Sequence, residues 1–248
     1  MKLLCDAHTH FVTEEDLNER KEKGILSLFS HTDPWEIDAF LKKDLPSHLI
    51  PTCGIHPWSA DRIALKDMRP YLEKVPVIGE IGMDNVWCDV PLSIQEKVFE
   101  EQLELAAALK KPVTLHTKGQ EKEIAALIKK YPNRYLVHWY SCMEHLDLYM
   151  EEDCFFSIGP DVFWNPATQN VAKNVSIDRI LTETDGLSAV QWAFDEAPSS
   201  LKKELPVVPD STEKALHLVI KTTAKFRNMN PDDFQTIAYE NLTEKFLK

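Results

Sequence analysis

Asp6-Ala7-His8-Thr9-His10 stands at the end of the first apolar run of the chain. Side chains two residues apart on a strand point to the same face, so we expect His8 and His10 to converge there. Two imidazoles at the point where a strand meets its loop can hold one divalent cation. In a chain with nine histidines this spacing alone is weak evidence. The interpretation therefore depends on whether residues of the same kind recur at equivalent places.

Further short apolar runs rich in Val, Ile and Leu alternate with longer helical patterns along the chain. The eight predicted strands are Leu3–His8, Ile25–Ser30, Leu49–Gly54, Val75–Ile81, Pro112–His116, Tyr135–His138, Cys154–Ile158 and Arg179–Thr184. Eight strands, each followed by a connection, predict an α/β fold, the (β/α)8 TIM barrel, with residues 1–248 as a single domain. The alternative is an open doubly wound sheet, which normally carries a Gly-rich phosphate turn; none is present among the seven glycines.

Helical patterns fill much of the sequence between these runs. Asp33-Pro34 is a typical helix start, with a capping residue followed by proline. The connection from Gly186 to Asp210 is unusually long and is expected to act as a lid or a binding wall. The predicted helices are Trp35–Lys43, Leu92–Lys110, Glu121–Lys130, Met143–Glu152, Thr212–Arg227 and Asp232–Leu247.

The composition, with 44% hydrophobic and 27% charged residues, is that of a globular protein. A net charge of −12 argues against a general nucleic-acid coat, but is compatible with an enzyme that handles phosphates through metal ions. Five scattered cysteines without a C-x-x-C motif indicate free thiols in a reducing compartment. The chain opens without a signal-like segment and has no run of membrane-spanning length, so we expect a cytoplasmic protein with no membrane partner.

Enzymes built on this barrel place their active sites at the carboxyl ends of the strands. A single His or Asp at such an end is more often a satisfied polar group or a helix cap. Six of them falling independently at one barrel mouth are much harder to explain in that way. Four imidazoles and two carboxylates suit one or two divalent metals, and a metal pair can clamp a phosphoryl group. The six residues are His8, His10, Glu80, His116, His138 and Asp185.

The strand-end residues stand within longer motifs: Asp6–His10, Gly54-Ile55-His56-Pro57, Ile78–Asp84, Gln95–His116, His138, Glu183-Thr184-Asp185 and Asn241–Phe246. In these motifs, which span nearly its whole length, the chain resembles the TatD family of metal-dependent deoxyribonucleases, within the wider amidohydrolase-like barrels. The resemblance implies that His8, His10, Glu80 and Asp185 hold one metal. It implies that Glu80, His116 and His138 hold a second, with Glu80 as the bridge. Glu80 and Asp185 are then the catalytic residues, and Asp185 orients the hydrolytic water and accepts its proton.

The sequence departs from the family pattern where substrate is expected to bind. Lys118 stands where the family usually has Arg, and it lacks the bidentate fork of a guanidinium. After Asp185 the chain has Gly186-Leu187-Ser188-Ala189 in place of Ala-Pro-Tyr-Leu. We expect Lys118 and His56 to contact substrate. Trp58 could stack on a base, or could instead seal the barrel top beside a proline-fixed turn.

The sequence therefore predicts a divalent-metal-dependent hydrolase acting on ester bonds, of the TatD phosphodiesterase or deoxyribonuclease type. The expected cofactors are one or two divalent ions, which could be Zn, Mn, Ni, Co or Mg. The expected partner is a phosphodiester or another small hydrolysable substrate, including short or single-stranded DNA. One alternative is the same metal centre acting on a small amide, lactone or phosphoester. Another is a metal-retaining barrel that binds without catalysis.

Overall fold

Eight parallel strands follow one another in sequence order around a single sheet. In this computed structural model, which describes residues 3–10, 13–202 and 205–248, the sheet is almost closed. Just beyond the last strand, the N–H of Asp185 donates to the carbonyl of His8 at 3.1 Å. The strands are β1 (Cys5–His10), β2 (Leu26–His31), β3 (Leu49–Cys53), β4 (Val77–Asp84), β5 (Val113–Lys118), β6 (Tyr135–Val137), β7 (Phe155–Ile158) and β8 (Ile180–Thr182). The predicted TIM barrel is confirmed.

The helices lie between successive strands and after the last one. Asp33 caps α2 by accepting the N–H of Trp35 at 2.7 Å, with Pro34 at the first helical position, as its sequence predicts. None of the helices in the described part of the chain has both the length and the apolar character needed to cross a bilayer. Their bounds are α1 (Glu14–Lys23), α2 (Pro34–Leu41), α3 (Leu65–Leu72), α4 (Leu92–Leu109), α5 (Glu121–Ile128), α6 (Leu146–Glu151), α7 (Pro166–Asn174), α8 (Leu187–Asp195), α9 (Thr212–Arg227) and α10 (Pro231–Glu240).

Helix α8 lies inside the connection from Gly186 to Asp210, for which the sequence predicts a long loop. Its buried residues Val190, Ala193 and Phe194 repeat at helical spacing. The ring of Phe194 packs against Phe163, with the ring centroids 4.6 Å apart. This side of the barrel mouth is therefore partly built from a helix held by apolar packing. Helices α1, α3 and α7 are also absent from the predicted set, and the last predicted helix divides into α10 and a π-helical turn over Asn241–Phe246.

Two strands carry an irregularity where a predicted metal ligand stands. Strand β1 gains one residue relative to β2 within Asp6–Thr9, and β4 gains one relative to β5 within Ile78–Ile81. His8 lies in the first of these segments and Glu80 in the second. A bulge of this kind bends the strand and re-aims the side chain that it carries. The two bulges therefore help to point His8 and Glu80 at the same centre.

Gly79 and Gly82 bracket Glu80 on β4 and allow the close approach of β5. Their φ values are 147° and 157°, a region of backbone conformation in which any residue other than glycine is strained. A Cβ at Gly82 would lie 1.9 Å from the carbonyl oxygen of His116, and a Cβ at Gly79 would lie 2.6 Å from that of Thr114. The glycines therefore fix how near Glu80 and His116 come to each other.

Candidate metal centre

Glu80 lies at the middle of the site, and its two carboxylate oxygens face different imidazoles. Oε2 lies 3.4 Å from Nε2 of His8 and 3.4 Å from Nε2 of His10. Oε1 lies 2.6 Å from Nδ1 of His116 and 3.0 Å from Nε2 of His138. Burial raises the pKa of Glu80, but the surrounding imidazoles outweigh burial and hold that pKa well below its usual range. The side chain is therefore a carboxylate with one oxygen on each side of the site.

Asp185 completes the side of the site that contains the two histidines of β1. Its Oδ1 lies 3.5 Å from Nε2 of His8 and 3.5 Å from Nε2 of His10. Burial lowers the pKa of His8 to about 3, so this imidazole is neutral, as a metal ligand must be. Both His8 Nε2 and Asp185 Oδ1 are buried without a hydrogen-bond partner among the described residues. Orphaned buried polar atoms of this kind call for a further binding partner.

The spacing of these donor atoms fits a cation better than it fits hydrogen bonds. Hydrogen bonds between nitrogen and oxygen cluster near 2.9–3.0 Å. Four ligands placed tetrahedrally at about 2.1 Å from an ion lie about 3.4 Å from one another. The separations of 3.4–3.5 Å around His8, His10 and Asp185 match the second arrangement. The residues on this side of Glu80 therefore fit a divalent metal. On the other side, the contacts of Oε1 with His116 and His138, at 2.6 and 3.0 Å, have the lengths of hydrogen bonds.

The six predicted ligands all come together at the barrel mouth. Within the described ranges, three groups have donor atoms lying within 4.8 Å of one another, and these groups overlap at His8 and Glu80. The protein thus has a candidate metal-binding site of histidine and carboxylate residues. The three groups are His8, Glu80 and His138; His8, His10 and Asp185; and His56, Glu80 and His116.

His56 is the one member of these groups that is predicted from the sequence to contact substrate. Its Nε2 lies 3.5 Å from Oε1 of Glu80 and 3.4 Å from Nδ1 of His116. Its Nδ1 accepts the backbone N–H of Trp58 at 3.2 Å. A neutral imidazole that accepts at Nδ1 carries its proton on Nε2, which makes Nε2 a donor. Burial lowers the pKa of His56, which favours this neutral form. The geometry thus favours a hydrogen-bond donor in the site over a metal ligand.

Two carboxylates that lie inside the matching motifs, but are not among the predicted ligands, stand behind the histidines. Asp84 places Oδ2 at 3.1 Å from Nε2 of His116. Glu183 places Oε2 at 3.4 Å from Nδ1 of His138. Carboxylates in such positions orient a ligating imidazole and raise its basicity. Their presence inside the quoted motifs, close to predicted ligands, was the signal that could have identified them.

Glu183 and Asp84 differ in their surroundings. Burial raises the pKa of Glu183 to about 7, although Ser157 donates its hydroxyl to the carboxylate at 2.7 Å. Burial acts in the same direction on Asp84, but hydrogen bonds from His116 and from backbone N–H groups outweigh it and lower the Asp84 pKa. His116 therefore faces a carboxylate that stays ionised, whereas the partner of His138 can hold a proton near neutral pH.

A cavity of about 870 Å³ lies at the barrel mouth, and five of the six predicted metal ligands line part of it. Lys118 lies in its wall, and its Nζ donates to Oγ of Ser141 at 3.0 Å. The same Nζ lies 4.3 Å from the centroid of the Trp87 ring. Trp58 is half-exposed in the wall, and its indole N–H donates to Asp84 at 2.8 Å. The cavity therefore brings His56 and Lys118, the two residues predicted to contact substrate, next to the predicted metal ligands.

Comparison with known proteins agrees with this architecture. The family model described as "TatD related DNase" matches residues 5–247. The crystal structure of the TatD homologue YjjV from Escherichia coli K12 superposes with a TM-score of 0.79 at 20% identity. That superposition covers 98% of this chain and 97% of the other, and at this identity it shows the fold.

Several curated relatives are named as nucleases. The 3'-5' ssDNA/RNA exonuclease TatD of Edwardsiella piscicida is 24% identical over 83% of this chain and 81% of its own length. The human 3'-5' RNA nuclease TATDN2 is 29% identical over 61% of this chain, and the match spans 21% of the human protein. Other relatives are named as metal-dependent hydrolases. The family match over nearly the whole length and the histidine–carboxylate centre lead to one conclusion: the chain belongs to the TatD-related DNase family of metal-dependent hydrolases.

Proposed function

We propose that the protein hydrolyses phosphodiester bonds in short or single-stranded nucleic acid, with divalent metals as cofactors. The observation that carries this proposal is the position of Glu80. Each of its carboxylate oxygens faces a different set of imidazoles, which is the arrangement expected of a bridge between two cations. The adjoining cavity is in the size range that encloses a small ligand. The nuclease names of two relatives point to the same substrate class.

In this proposal His8, His10, Glu80 and Asp185 hold one cation, and Glu80, His116 and His138 hold the other. Zn, Mn, Ni, Co and Mg are all candidates. Such cations, when bound, polarise a phosphoryl oxygen and make an attacking water more acidic. Asp84 and Glu183 keep the imidazoles of His116 and His138 in position.

Asp185 and His56 act on the substrate side of the site. The side chain of Asp185 is 21% exposed while its Oδ1 is buried, so Oδ2 is the oxygen available to accept a proton from a water in the cavity. Glu80, at 2% exposure, is much less accessible to such a water. The Nε2–H of His56 donates toward a phosphate oxygen, and Lys118 supplies a positive charge nearby. Free thiols at all five cysteines support the cytoplasm, or another reducing compartment, as the place of action.

We expect the chain to bind two divalent cations. After removal of metal by a chelator, titration with Zn²⁺ or Mn²⁺ should reach two equivalents per chain, measured by calorimetry and elemental analysis. His8→Ala should lower this number to one or fewer, because His8 takes part in two of the three donor groups. His145→Ala is a matched control, since His145 is not among the residues of these groups. An unchanged stoichiometry in His8→Ala would contradict the assignment.

Cleavage should favour labelled single strands over duplexes and should depend only weakly on salt. Arg62 and Lys118 are the arginine and lysine side chains in the described lining of the cavity. Each phosphate neutralised on a single strand contributes about 0.7 to the slope of log affinity against log salt, so two contacts give about 1.4. The measurement is cleavage from low to moderate salt with Mn²⁺, Mg²⁺ or Zn²⁺. A steep salt dependence with a preference for duplex would overturn this expectation.

Lys118 variants refine the same experiment. Lys118→Ala should raise KM for phosphodiesters and leave metal content unchanged, because Lys118 contacts Ser141 and Trp87 in the cavity wall. Lys118→Arg should improve turnover if a bidentate fork on phosphate is what the site lacks. Turnover of an amide or lactone without cleavage of any phosphodiester would redirect the function to small esters or amides.

A further inference from the structure

Tryptophan is concentrated around the cavity to an unusual degree. The chain has six tryptophans, and five of them lie in the lining of this cavity: Trp58, Trp87, Trp139, Trp164 and Trp192. Three of these are substantially exposed, Trp87 at 53%, Trp58 at 47% and Trp192 at 42%. Large apolar side chains gathered at an exposed concave surface indicate a binding surface. None of these tryptophans belongs to the donor groups of the metal centre, although the indole N–H of Trp58 donates to Asp84 behind His116.

Trp87, Trp139 and Trp192 form a continuous surface, which we call the tryptophan wall. The ring centroid of Trp192 lies 5.9 Å from that of Trp87 and 5.9 Å from that of Trp139, with interplanar angles of 83° and 76°. The three residues come from three separate parts of the chain, following β4 and β6 and lying within α8. The barrel therefore assembles the wall from distant segments at the same mouth as the metal centre.

The wall is held in place from behind. A Cβ at Gly159 would lie 2.6 Å from three atoms of the Trp139 indole, so that ring packs directly on the glycine backbone. The indole N–H of Trp164 donates to the carbonyl of Ala193 at 2.9 Å, which anchors α8 next to Trp192. Rigid aromatic surfaces lose little conformational freedom when they bind a flat ring.

Lys118 lies between the tryptophan wall and the candidate metal centre. It lies two residues beyond His116 on β5, a displacement of about 6.6 Å along the strand. Its Nζ lies over the ring of Trp87 at 4.3 Å. A ligand that extends from His116 past Lys118 to the tryptophan wall therefore meets the proposed phosphodiester site first. It then meets the ammonium group of Lys118, and after that the aromatic faces of the wall. A nucleotide presents a phosphate and a flat base in this way.

We propose that the tryptophan wall is a stacking subsite for the nucleobase attached to the scissile phosphodiester. The proposal rests on the proposed function and specifies how its substrate is recognised. Stacking on aromatic side chains holds any base and requires the base to be unpaired. In a chain of net charge −12 with two basic side chains in the described cavity lining, stacking supplies affinity that phosphate neutralisation does not. The wall thereby selects single strands over duplexes.

The test compares a thymidine tetranucleotide with the same molecule carrying a tetrahydrofuran abasic residue next to the cleaved bond. Cleavage kinetics use the normal linkages, and binding to the metal-loaded protein uses phosphorothioate linkages with tryptophan fluorescence as the signal. The base-bearing oligonucleotide should quench the fluorescence and bind about 5–100-fold more tightly than the abasic one. Trp192→Leu should remove most of this difference, and Trp192→Phe should keep part of it. Trp35→Leu is the control, because Trp35 is 76% exposed and is not in the cavity lining.

Each outcome bears on the proposal. Absence of quenching by the base-bearing oligonucleotide, or equal binding of the two oligonucleotides, overturns the stacking subsite. Retention of the full difference in both Trp192→Leu and Trp87→Leu also overturns it, provided that thermal melting shows both variants folded. Failure of the proposed function has a separate signature, which is no cleavage by the wild-type protein with any metal.

Discussion

Glu80→Gln is expected to weaken metal binding and to reduce hydrolytic turnover by at least about 10–100-fold. Losses in this range follow even when the substituted residue only hydrogen-bonds to a metal ligand. The substitution keeps the shape of the side chain and removes its charge. In the structure Oε2 faces His8 and His10 while Oε1 faces His116 and His138, so the loss affects both sides of the site. An amide can present only one acceptor oxygen, and its NH₂ group would face imidazole nitrogens or a cation. Metal content and steady-state kinetics measured on the same sample test this expectation.

Glu104→Gln is a suitable control, because Glu104 is exposed on α4 and the substitution makes the same change of charge. It should retain full metal content and full rate. If Glu80→Gln also retained both, Glu80 would not be the bridging residue. A loss of one equivalent of metal with the other retained would indicate that Glu80 serves a single cation.

The barrel and the location of the candidate site could be predicted because both depend on local pattern. Eight apolar runs are spaced like the strands of a (β/α)8 barrel, and the strand-end rule then gathers distant residues at one mouth. Helix α9 has the bounds that its periodicity predicts, Thr212–Arg227. The family resemblance named the same six residues that the structure brings together, and the family match supports the hydrolase class.

The parts that were not predicted depend on tertiary geometry. The bulges within Asp6–Thr9 and Ile78–Ile81 break the simple alternation of a strand, and they are set by pairing with the neighbouring strand. The tryptophan wall combines residues from three connections whose mutual approach no local pattern encodes. The tautomer of His56 depends on one backbone N–H, that of Trp58, in the short turn that follows it.

Arg20 is a further example, because its role is invisible in the sequence and large in the structure. Its side chain is fully buried, although it lies on α1, a helix made almost entirely of polar and charged residues. Nη1 donates to Asp6 at 2.8 Å, and Nε donates to Asp16 at 2.9 Å. Asp6 in turn accepts both the backbone N–H and the hydroxyl of Thr184, at 2.8 and 2.6 Å. The network therefore ties α1 to the residue that precedes Asp185.

Arg20→Met is expected to lower the free energy of unfolding by about 3–5 kcal/mol, the usual result of removing one partner from a buried ion pair. Methionine fills much of the space but leaves the carboxylates of Asp6 and Asp16 buried without their cation. Arg20→Lys should lose less, because it keeps the charge while giving up the fork that reaches several acceptors. Urea unfolding followed by circular dichroism gives the values.

The control is Arg69→Met, which breaks an exposed i,i+4 pair with Glu73 and should change the free energy of unfolding by at most about 0.5 kcal/mol. If Arg20→Met matched this control, the buried carboxylates would have to be neutral or hydrated rather than paired with Arg20. A triple variant that adds Asp6→Asn and Asp16→Asn separates charge from packing. Recovery of stability in the triple variant would assign the loss to uncompensated charge, because the arginine side chain is still missing there.

Since Asp6 holds Thr184, a folded Arg20→Met protein should also bind metal more weakly at the Asp185 side of the site, although Arg20 touches no ligand.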